Sequence, residues 1–288
     1  MLRNIYVYIK YITIGSDELN IIKQNLDKEV NLFIPDDIEE IDFEDSLVIT
    51  DVPENEFKMQ AEACGKDSCE VKAAGFNTKP GEGYSYVFGT LDMGISYYRL
   101  VYARLTGEPF VVAETKNLLI REMTTKDLPE LYAVYSTLED CRLRIKPHAP
   151  PLEDCRYIEQ LYDYDKELEF TKNYIKNMYG FFEYGLWLVF EKKSGELIGR
   201  AGIENREIDG VTCCEIGYLI RRDMQHKGYA YEACQAILEY ASDELGIQEM
   251  FAVIDKTNEP SRKLARKLGF ELYAQTDGGP DLYKFVFG

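Results

Sequence analysis

The sequence has few of the residues that build metal centres, disulfide frameworks or membrane spans. Only two of its 288 residues are histidines, His148 and His226, so a histidine-based metal site is not expected. The seven cysteines are odd in number and scattered, without a repeated CxxC, which predicts reduced thiols. No apolar run approaches the ~18 residues of a membrane span, and the start lacks a signal-peptide pattern. These absences together predict a cytoplasmic protein.

Glycine-rich phosphate loops and excess positive charge are also missing. Neither GxGxxG nor GxxxxGK[ST] occurs, which argues against the nucleotide-binding folds that carry these motifs. The formal net charge is −18, and such a surface repels nucleic acid and anionic membranes. It favours cationic partners, although a simple gain in solubility explains the charge equally well.

The length and the 45% hydrophobic content predict two domains, with a boundary between residues 112 and 113. Residues 1–112 alternate short β-rich runs with helical stretches, which indicates a small α/β module with a largely parallel sheet. This rhythm weakly resembles a truncated haloacid-dehalogenase-like unit. The DxD motif of such enzymes is absent, so Asp51, which closes one apolar run, is not expected to be a nucleophile. A scaffold or dimerisation module is the preferred interpretation.

Residues 113–288 follow a different order of predicted elements. A strand and two helices come first, and three antiparallel strands follow, joined at the hairpin signals "KKSGE" and "REIDG". A polar loop then enters a helix over 228–245, and strand, helix and strand close the chain. The whole chain is thus predicted to be α/β (α+β), with a mixed, mostly antiparallel sheet and flanking helices in its second part.

The polar loop, Gln225 to Ala230, is the most informative stretch. The first turn of a helix leaves backbone N–H groups unpaired and carries partial positive charge, so it favours an anion such as a diphosphate. Gly228 lets the backbone approach phosphates without a Cβ clash, and Ala230 keeps the first turn slim. A loop with one glycine before a helix is common, however, and by itself does not identify a ligand.

Over residues ~114–288 the chain resembles the GNAT superfamily of acyl-CoA-dependent N-acyltransferases. The stretch "QHKGYA" is similar to the family's Q/R-x-x-G-x-G/A pattern, "NLLIREMTTKDLPELY" to its opening strand and helix, and "NEPSRKLARKLGFEL" to its closing segment. Asn258, Ser261 and "LGF" resemble in particular the ribosomal-protein N-acetyltransferase-like subgroup. Three similar segments in the right order carry more weight than any single one.

The resemblance implies acetyl-CoA as co-substrate and no metal. It places the diphosphate at the loop, with further donors from Gln225 and from Lys227 or Arg222. It also places the pantetheine arm along free backbone groups around Leu219 and Arg221. The residues implied to hold coenzyme A are Leu219, Ile220, Arg221, Gln225, His226, Lys227, Gly228, Tyr229, Ala230, Asn258 and Ser261.

Three catalytic residues are candidates on the same basis. Glu215 is the candidate base, acting directly or through water, although it could equally orient the sheet or the acceptor. The oxyanion donor is expected to be the backbone N–H of Leu219 or Ile220. Many members have a tyrosine that acts as the general acid at the position of Ala265 in this chain. Here Tyr218, Tyr273 or a water could protonate the thiolate instead, or the thiolate could leave without an acid.

The implied acceptor is a cationic amine, either a small molecule or a peptide N-terminus. An acidic, aromatic segment suits such a ligand, although carboxylates on one helix are more often a solvated face. Its members are Glu153, Asp154, Tyr157, Glu159, Tyr162, Asp163, Tyr164, Asp165, Glu167 and Glu169. A GNAT-fold acyl-CoA-binding regulatory protein with little turnover is the alternative function. The role of the N-terminal module, and whether it pairs protomers into a homodimer, stays open.

Overall fold

The computed structural model describes residues 1–67, 71–78, 83–138, 161–208, 210–275 and 279–288. These residues form two compact units, Met1–Phe110 and Val111–Gly288. The predicted boundary between residues 112 and 113 falls inside the first strand of the second unit.

The first unit is a parallel sheet with helices. Five strands lie in the order β2-β1-β3-β4-β5, and every pair is parallel. Buried apolar residues form a cluster on each face of the sheet, as expected for parallel strands that are covered on both sides. Its elements are β1 Asn4–Tyr8, α1 Ser16–Asn25, β2 Asn31–Phe33, β3 Ser46–Thr50, α2 Glu54–Ala63, β4 Ala73–Phe76, β5 Val87–Phe88 and α3 Ile95–Thr106.

Asp51 follows β3 and stabilises the loop after β1. Its carboxylate accepts hydrogen bonds from the backbone N–H groups of Lys10, Tyr11 and Ile12, each at 2.7 Å. Three backbone donors on one carboxylate are a structural arrangement and leave little of the group for a substrate. The likeness of this unit to haloacid dehalogenases stays a prediction.

The second unit contains an eight-stranded sheet in the order β12-β13-β11-β10-β9-β8-β7-β6. Among the described residues of this sheet, only β10 and β11 pair in parallel, which confirms the mixed, mostly antiparallel sheet. The elements are β6 Val111–Glu114, β7 Leu118–Arg121, α4 Leu128–Ser136, α5 Tyr164–Tyr174, β8 Leu186–Glu191, β9 Leu197–Ile208, β10 Val211–Ile220, α6 Tyr229–Asp243, β11 Glu249–Ile254, α7 Glu259–Leu268, β12 Glu271–Ala274 and β13 Asp281–Val286.

The helices of this unit lie on the two faces of its sheet. Trp187 of β8 packs edge-on against Tyr240 of α6, with ring centroids 5.5 Å apart. On the opposite face, Arg200 of β9 contacts Tyr135 of α4. α5 continues without a break into a π-helical segment, Ile175–Phe182. Successive residues of β9 and β10 therefore face different helices, and this alternation fixes the surroundings of each site residue.

Candidate active site

The strands β10 and β11 are neighbours but are joined at one residue pair only. β10 pairs with β9 along its whole length, from Val211 to Ile220. Its register with β11 consists of Glu215 opposite Phe251. The two strands diverge beyond Glu215, and a cleft of about 1680 Å³ opens there. Parts of α4, β8, β9, α7 and the loop before α6 complete its walls.

The backbone groups of β10 that face the cleft follow from its pairing with β9. The N–H of Arg221 donates to the carbonyl of Ile198 at 2.7 Å. Because successive residues of an antiparallel strand turn their backbone groups to opposite sides, Leu219 is also turned to β9. Tyr218 and Ile220 are turned to the cleft. The expectation of free groups around Leu219 and Arg221 is thus corrected by one residue.

The loop after β10 closes one end of the cleft. The side-chain nitrogen of Gln225 donates to the carbonyl of Ile220 at 2.9 Å, so this amide fixes the end of the strand. His226 and Gly228 have positive φ angles, 59° and 91°, whereas Lys227 between them does not. Such an alternating backbone turns successive N–H groups to one side and binds anions. The N-terminus of α6 adds its partial positive charge at the same place.

Gly228 is required here by its conformation and has open space beside it. A φ of 91° is strained for any residue with a Cβ. A Cβ added at this position would meet no heavy atom within 4 Å. The glycine therefore sets the turn into α6 and leaves free the side from which a phosphate would approach.

Glu232, in the first turn of α6, is tied to the hairpin of β6 and β7. Its carboxylate accepts hydrogen bonds from the Thr115 hydroxyl at 2.6 Å, the Asn117 N–H at 2.8 Å and the Asn117 side chain at 2.9 Å. Burial raises the pKa of Glu232, but the hydrogen bonds from Asn117 and Thr115 outweigh it, so that the pKa is lowered. This carboxylate is thereby held by donors of its own and anchors the start of the helix.

Glu215 stands where the two strands separate and bonds to both sides. One carboxylate oxygen accepts from Nε of Arg206 on β9 at 2.7 Å, and the other accepts from the N–H of Val253 on β11 at 3.3 Å. The Glu215 side chain is 13% exposed and lines the cleft. The hydrogen bond that Arg206 donates to Glu215 raises the pKa of Arg206. Glu215 thus fixes the point of divergence and presents a carboxylate to the cleft.

The Tyr218 side chain lies between the sheet and the helices α6 and α7. Its hydroxyl is buried without a hydrogen bond of good geometry, although Ser261 of α7 lies beside it. Burial raises the pKa of Tyr218, and the neighbouring Ser261 hydroxyl offsets only part of this effect. The phenol therefore keeps its proton at neutral pH and is a donor without an acceptor.

Asn258 caps α7 at the other side of the cleft. Its side-chain oxygen accepts the N–H of Ser261 at 3.2 Å. Because the oxygen is committed to the cap, the amide nitrogen is the part of Asn258 that can address a ligand. The predicted residues that line the cleft are Glu215, Tyr218, Leu219, Ile220, Gln225, His226, Gly228, Tyr229, Ala230, Asn258 and Ser261.

Three predicted site residues do not line the cleft. The guanidinium of Arg221 pairs with Glu196 and Asp223, both at 2.8 Å. The ammonium of Lys227 lies 3.1 Å from the sulfur of Met224. Tyr273 sits on the edge strand β12, 60% exposed and packed edge-on against Phe251. None of the three side chains is placed to act in the cleft.

The acidic segment that was expected to line the acceptor site is only partly described. Glu153, Asp154, Tyr157 and Glu159 lie outside the described residues. Asp163 caps α5 and pairs with Lys166 at 3.0 Å, while Asp165 and Glu169 are exposed. Glu167 is buried and accepts the N–H of Tyr162 at 2.9 Å. Of the described carboxylates, Asp163 and Glu167 organise the start of α5 and Asp165 and Glu169 face solvent, and none of these four borders the cleft.

Sequence reasoning missed the cleft residues on the face of α4 and α5. Arg200, Glu204 and Arg206 occupy alternate positions of β9 and all line the cleft. The available signal was a lone arginine inside the apolar run "LIGRAGI". In the parts of the chain that the structure describes, no group of three or more His, Cys, Asp or Glu could hold a metal. No helix among those residues is long and apolar enough to cross a membrane.

The sequence profile of the acetyltransferase (GNAT) domain family matches residues 117–271, more than half of the chain. This protein belongs to the GNAT acetyltransferase family. The region of the match contains the diverging strands, the loop before α6 and the start of α7. Members of this family are acyltransferases, so the cleft described above is the candidate active site of such an enzyme.

Three similar proteins show how sequence identity and coverage vary among the relatives of this chain. The uncharacterized protein YkkB of Bacillus subtilis is 38% identical over 91 residues, 32% of this chain and 52% of YkkB. The uncharacterized N-acetyltransferase YoaA of B. subtilis is 26% identical over 162 residues, 56% of this chain and 84% of YoaA. RimL, a ribosomal L7/L12 α-N-protein acetyltransferase solved with coenzyme A, is 16% identical at a TM-score of 0.47, covering 61% of this chain and 97% of RimL.

The matches to YkkB and RimL assign neither a substrate nor a subgroup to this chain. The chain spans only about half the length of YkkB. The likeness to RimL does not assign the ribosomal-protein subgroup, which stays a prediction.

Proposed function

We propose that this chain transfers an acetyl group from acetyl-CoA to a primary amine of a small molecule or a peptide N-terminus. The observation that carries the proposal is the divergence of β10 from β11, with the backbone of Tyr218 and Ile220 turned into the opening. A pantetheine arm carries amide donors and acceptors and can pair there as a short extra strand. The loop Gln225–Ala230 then lies at the position of the diphosphate.

The reaction needs a base, an oxyanion site and an acid. The amine nitrogen attacks the thioester carbonyl and passes its proton to Glu215, directly or through water. The carbonyl oxygen becomes an oxyanion, stabilised by the N–H of Tyr218 or Ile220, the two that face the cleft. The C–S bond then breaks and the thiolate takes a proton, for which the buried Tyr218 phenol is the candidate donor. This assignment leaves Leu219 and Tyr273 without a chemical role.

A second function is favoured by one observation. Arg206 forms an ion pair with Glu215 at 2.7 Å, and it therefore competes with a substrate amine for this carboxylate. If the pair persists when ligands are bound, the protein would hold acetyl-CoA and turn it over slowly, as an acyl-CoA-binding regulatory protein does. Binding is common to both functions, and turnover separates them.

The first test is calorimetric titration of acetyl-CoA into the wild type, Gly228→Glu and Gly246→Glu. Gly246 is a matched control, because it follows the other end of α6, also has a positive φ, and also has no heavy atom within 4 Å of an added Cβ. We expect Gly228→Glu to weaken binding by about 100-fold or more, because a carboxylate would occupy the place of a phosphate. Gly246→Glu should bind like the wild type.

The second test measures thiol release from acetyl-CoA with a panel of primary amines. Release that depends on the amine supports the acetyltransferase. Tight binding with no release for any amine supports the regulatory protein. Equal binding by both glycine variants would mean that the loop is only the start of a helix.

A further inference from the structure

Arg200 is a buried cation that no carboxylate neutralises within the described residues. It lies in the middle of β9 and is 8% exposed. One terminal nitrogen donates to the Tyr135 hydroxyl at 3.3 Å, and the buried Nε has no hydrogen-bond partner. A guanidinium has five N–H donors, and burial without acceptors or a counter-charge is unfavourable. Among the described residues, the N–H donors of Arg200 thus outnumber their acceptors.

The tyrosines around Arg200 are already engaged elsewhere. Tyr174 and Tyr179 both lie near the guanidinium. The Tyr174 hydroxyl accepts the N–H of Leu186 at 2.6 Å, and the Tyr179 hydroxyl donates to the carbonyl of Leu186 at 2.5 Å. Tyr179 belongs to the π-helical segment, a rare geometry that recurs at functional sites. These rings form an aromatic wall around the cation, and they leave its Nε unpaired.

Arg200 and Glu204 lie at the two ends of one stretch of the cleft, on the same face of the sheet. Side chains alternate along a strand, so the face of Arg200 also carries Gly217 and Leu219 of β10. Gly217 lies between the two charges, and a Cβ there would meet Cδ2 of Leu186 at 3.2 Å and a carboxylate oxygen of Glu204 at 3.4 Å, so any side chain at this position would crowd Leu186 and Glu204. The backbone positions of Arg200 and Glu204 are about 13 Å apart along the strand. The stretch is positive at one end and negative at the other.

The position of Arg200 separates it from the proposed donor site. The donor is placed where β10 diverges from β11, on the side of Asn258 and Ser261. Arg200 stands one strand away, on β9, and faces α4 and α5. A ligand group that reaches this cation would therefore come from the acceptor.

We propose that Arg200 binds an anionic group of the acceptor, a carboxylate or a phosphate, while the amine of the same molecule lies toward Glu204 and Glu215. This proposal rests on the acetyltransferase function proposed above. It selects zwitterionic small molecules over polyamines, which have no anionic group. The planar guanidinium fits carboxylate and phosphate oxygens in a bidentate manner, which a lysine does not reproduce.

The experiment compares amines that differ only in the anionic group. Tyrosine is paired with tyramine, histidine with histamine, and phosphoethanolamine with ethanolamine, in the wild type, Arg200→Met and Arg200→Lys. We expect at least one anionic member to exceed its partner by about tenfold or more in kcat/KM. Arg200→Met and Arg200→Lys should both lose this preference, and turnover of the partner that lacks the anionic group and the Kd of acetyl-CoA should change less than about twofold. The carboxylate and phosphate pairs show which anion is preferred.

A binding measurement makes the test independent of turnover. N-acetylated amino acids and their carboxamides, as product analogues, are titrated calorimetrically into each protein with coenzyme A present. The proposal predicts that the free acid binds more tightly than the amide, and only when Arg200 is present. Equal binding of acid and amide to the wild type would overturn it, as would an unchanged preference in both variants.

Two other results have separate meanings. A weakening of acetyl-CoA binding in Arg200→Met by about tenfold or more would place Arg200 at the donor and overturn the proposal. An absence of turnover for every amine, together with acid-selective binding that needs Arg200, would contradict the acetyltransferase function and leave the anion site standing. Arg200→Lys covers the case in which Arg200→Met does not fold, because it keeps the charge.

Discussion

Glu215 has a structural role and a proposed catalytic role, and one substitution can separate them. Its carboxylate holds Val253 and Arg206 where the strands diverge, and in the proposed reaction it also accepts the proton of the amine. Glutamine keeps an oxygen for the N–H of Val253 but is not a base. The effect on structure and the effect on proton transfer are thus distinguishable at a single residue.

We predict that Glu215→Gln lowers kcat by about 10²- to 10⁴-fold and leaves the Kd of acetyl-CoA within about twofold. The measurement is initial rate with the best amine of the panel, alongside calorimetry of the donor. Glu204→Gln is measured for comparison, because Glu204 is the direct cross-strand partner of Glu215 and lines the same cleft. A larger loss in Glu204→Gln than in Glu215→Gln would move the base to Glu204.

The site residues differ in how visible they are in the sequence. Gly228 and Asn258 could be predicted, because helix starts and caps are set by neighbours in the chain. The role of Arg200 could not, since its isolation depends on the helices that cover β9. The free backbone of β10 was placed one residue off, because the direction of each N–H depends on the register with β9. The surroundings of Tyr273 could not be predicted either, because strand order, which puts it at an edge, depends on distant contacts.

At the scale of elements, α6 depends on the hydrogen bonds that Glu232 makes to the β6–β7 hairpin. The carboxylate has a lowered pKa, so the folded state favours its ionised form. Its contribution to stability is therefore fully present above its ordinary pKa of 4.5 and is lost as the pH falls through the lowered value. Glu239, seven residues later on the same helix, is exposed, and the hydrogen bond that it accepts at 3.3 Å comes from Gln235 of that helix.

We predict that Glu232→Ala lowers the free energy of unfolding by about 1–3 kcal/mol at pH 7, because three donors lose their acceptor. The difference from the wild type should shrink as the pH is lowered toward 3. Denaturant unfolding at several pH values measures both effects. Glu239→Ala should change stability by less than about 0.5 kcal/mol. A difference that stays constant with pH would mean that packing, not the charge, is what Glu232 supplies.

Most elements were predictable from local patterns, and the exceptions depend on more distant contacts. The helix predicted over 228–245 extends from Tyr229 to Asp243, since the glycine before it and the apolar spacing within it are both local signals. The stretch "FTKNYIKNMYGFF" was predicted as a helix and in fact ends as a π-helix. Apolar spacing identifies a helix there but does not distinguish i→i+5 from i→i+4 hydrogen bonds, because tertiary contacts decide between them.

At the scale of the whole molecule, each unit has its own apolar core. The buried cluster of the second unit is formed by residues from the sequence range Leu118 to Tyr283. The two clusters of the first unit are formed by residues from the range Leu2 to Val101. Cores that do not share residues favour independent folding. The proposed donor site also lies entirely within the second unit.

We predict that a protein of residues 111–288 unfolds cooperatively and binds acetyl-CoA with a Kd within about threefold of the full chain. Thermal unfolding followed by circular dichroism, together with calorimetry, measures both properties. The acceptor KM of the same protein is informative as well. An unchanged KM would mean that the first unit does not contribute to acceptor binding. A raised KM would mean that it does. Failure of residues 111–288 to fold would contradict the independence of the two cores.

The single residue pair between β10 and β11 has a consequence for the lifetime of the protein. Three strands, β11, β12 and β13, are joined to the other five of the sheet through that pair and through the hydrogen bond from the Val253 N–H to the Glu215 carboxylate. A pantetheine arm in the opening would supply the hydrogen bonds that the sheet lacks there. Donor binding would then stabilise the fold by about 2.7 kcal/mol at a concentration of 100 Kd. Under the proposed function, a cell short of acetyl-CoA would hold the protein in a looser, more rapidly degraded form, and its abundance would follow the supply of the proposed donor.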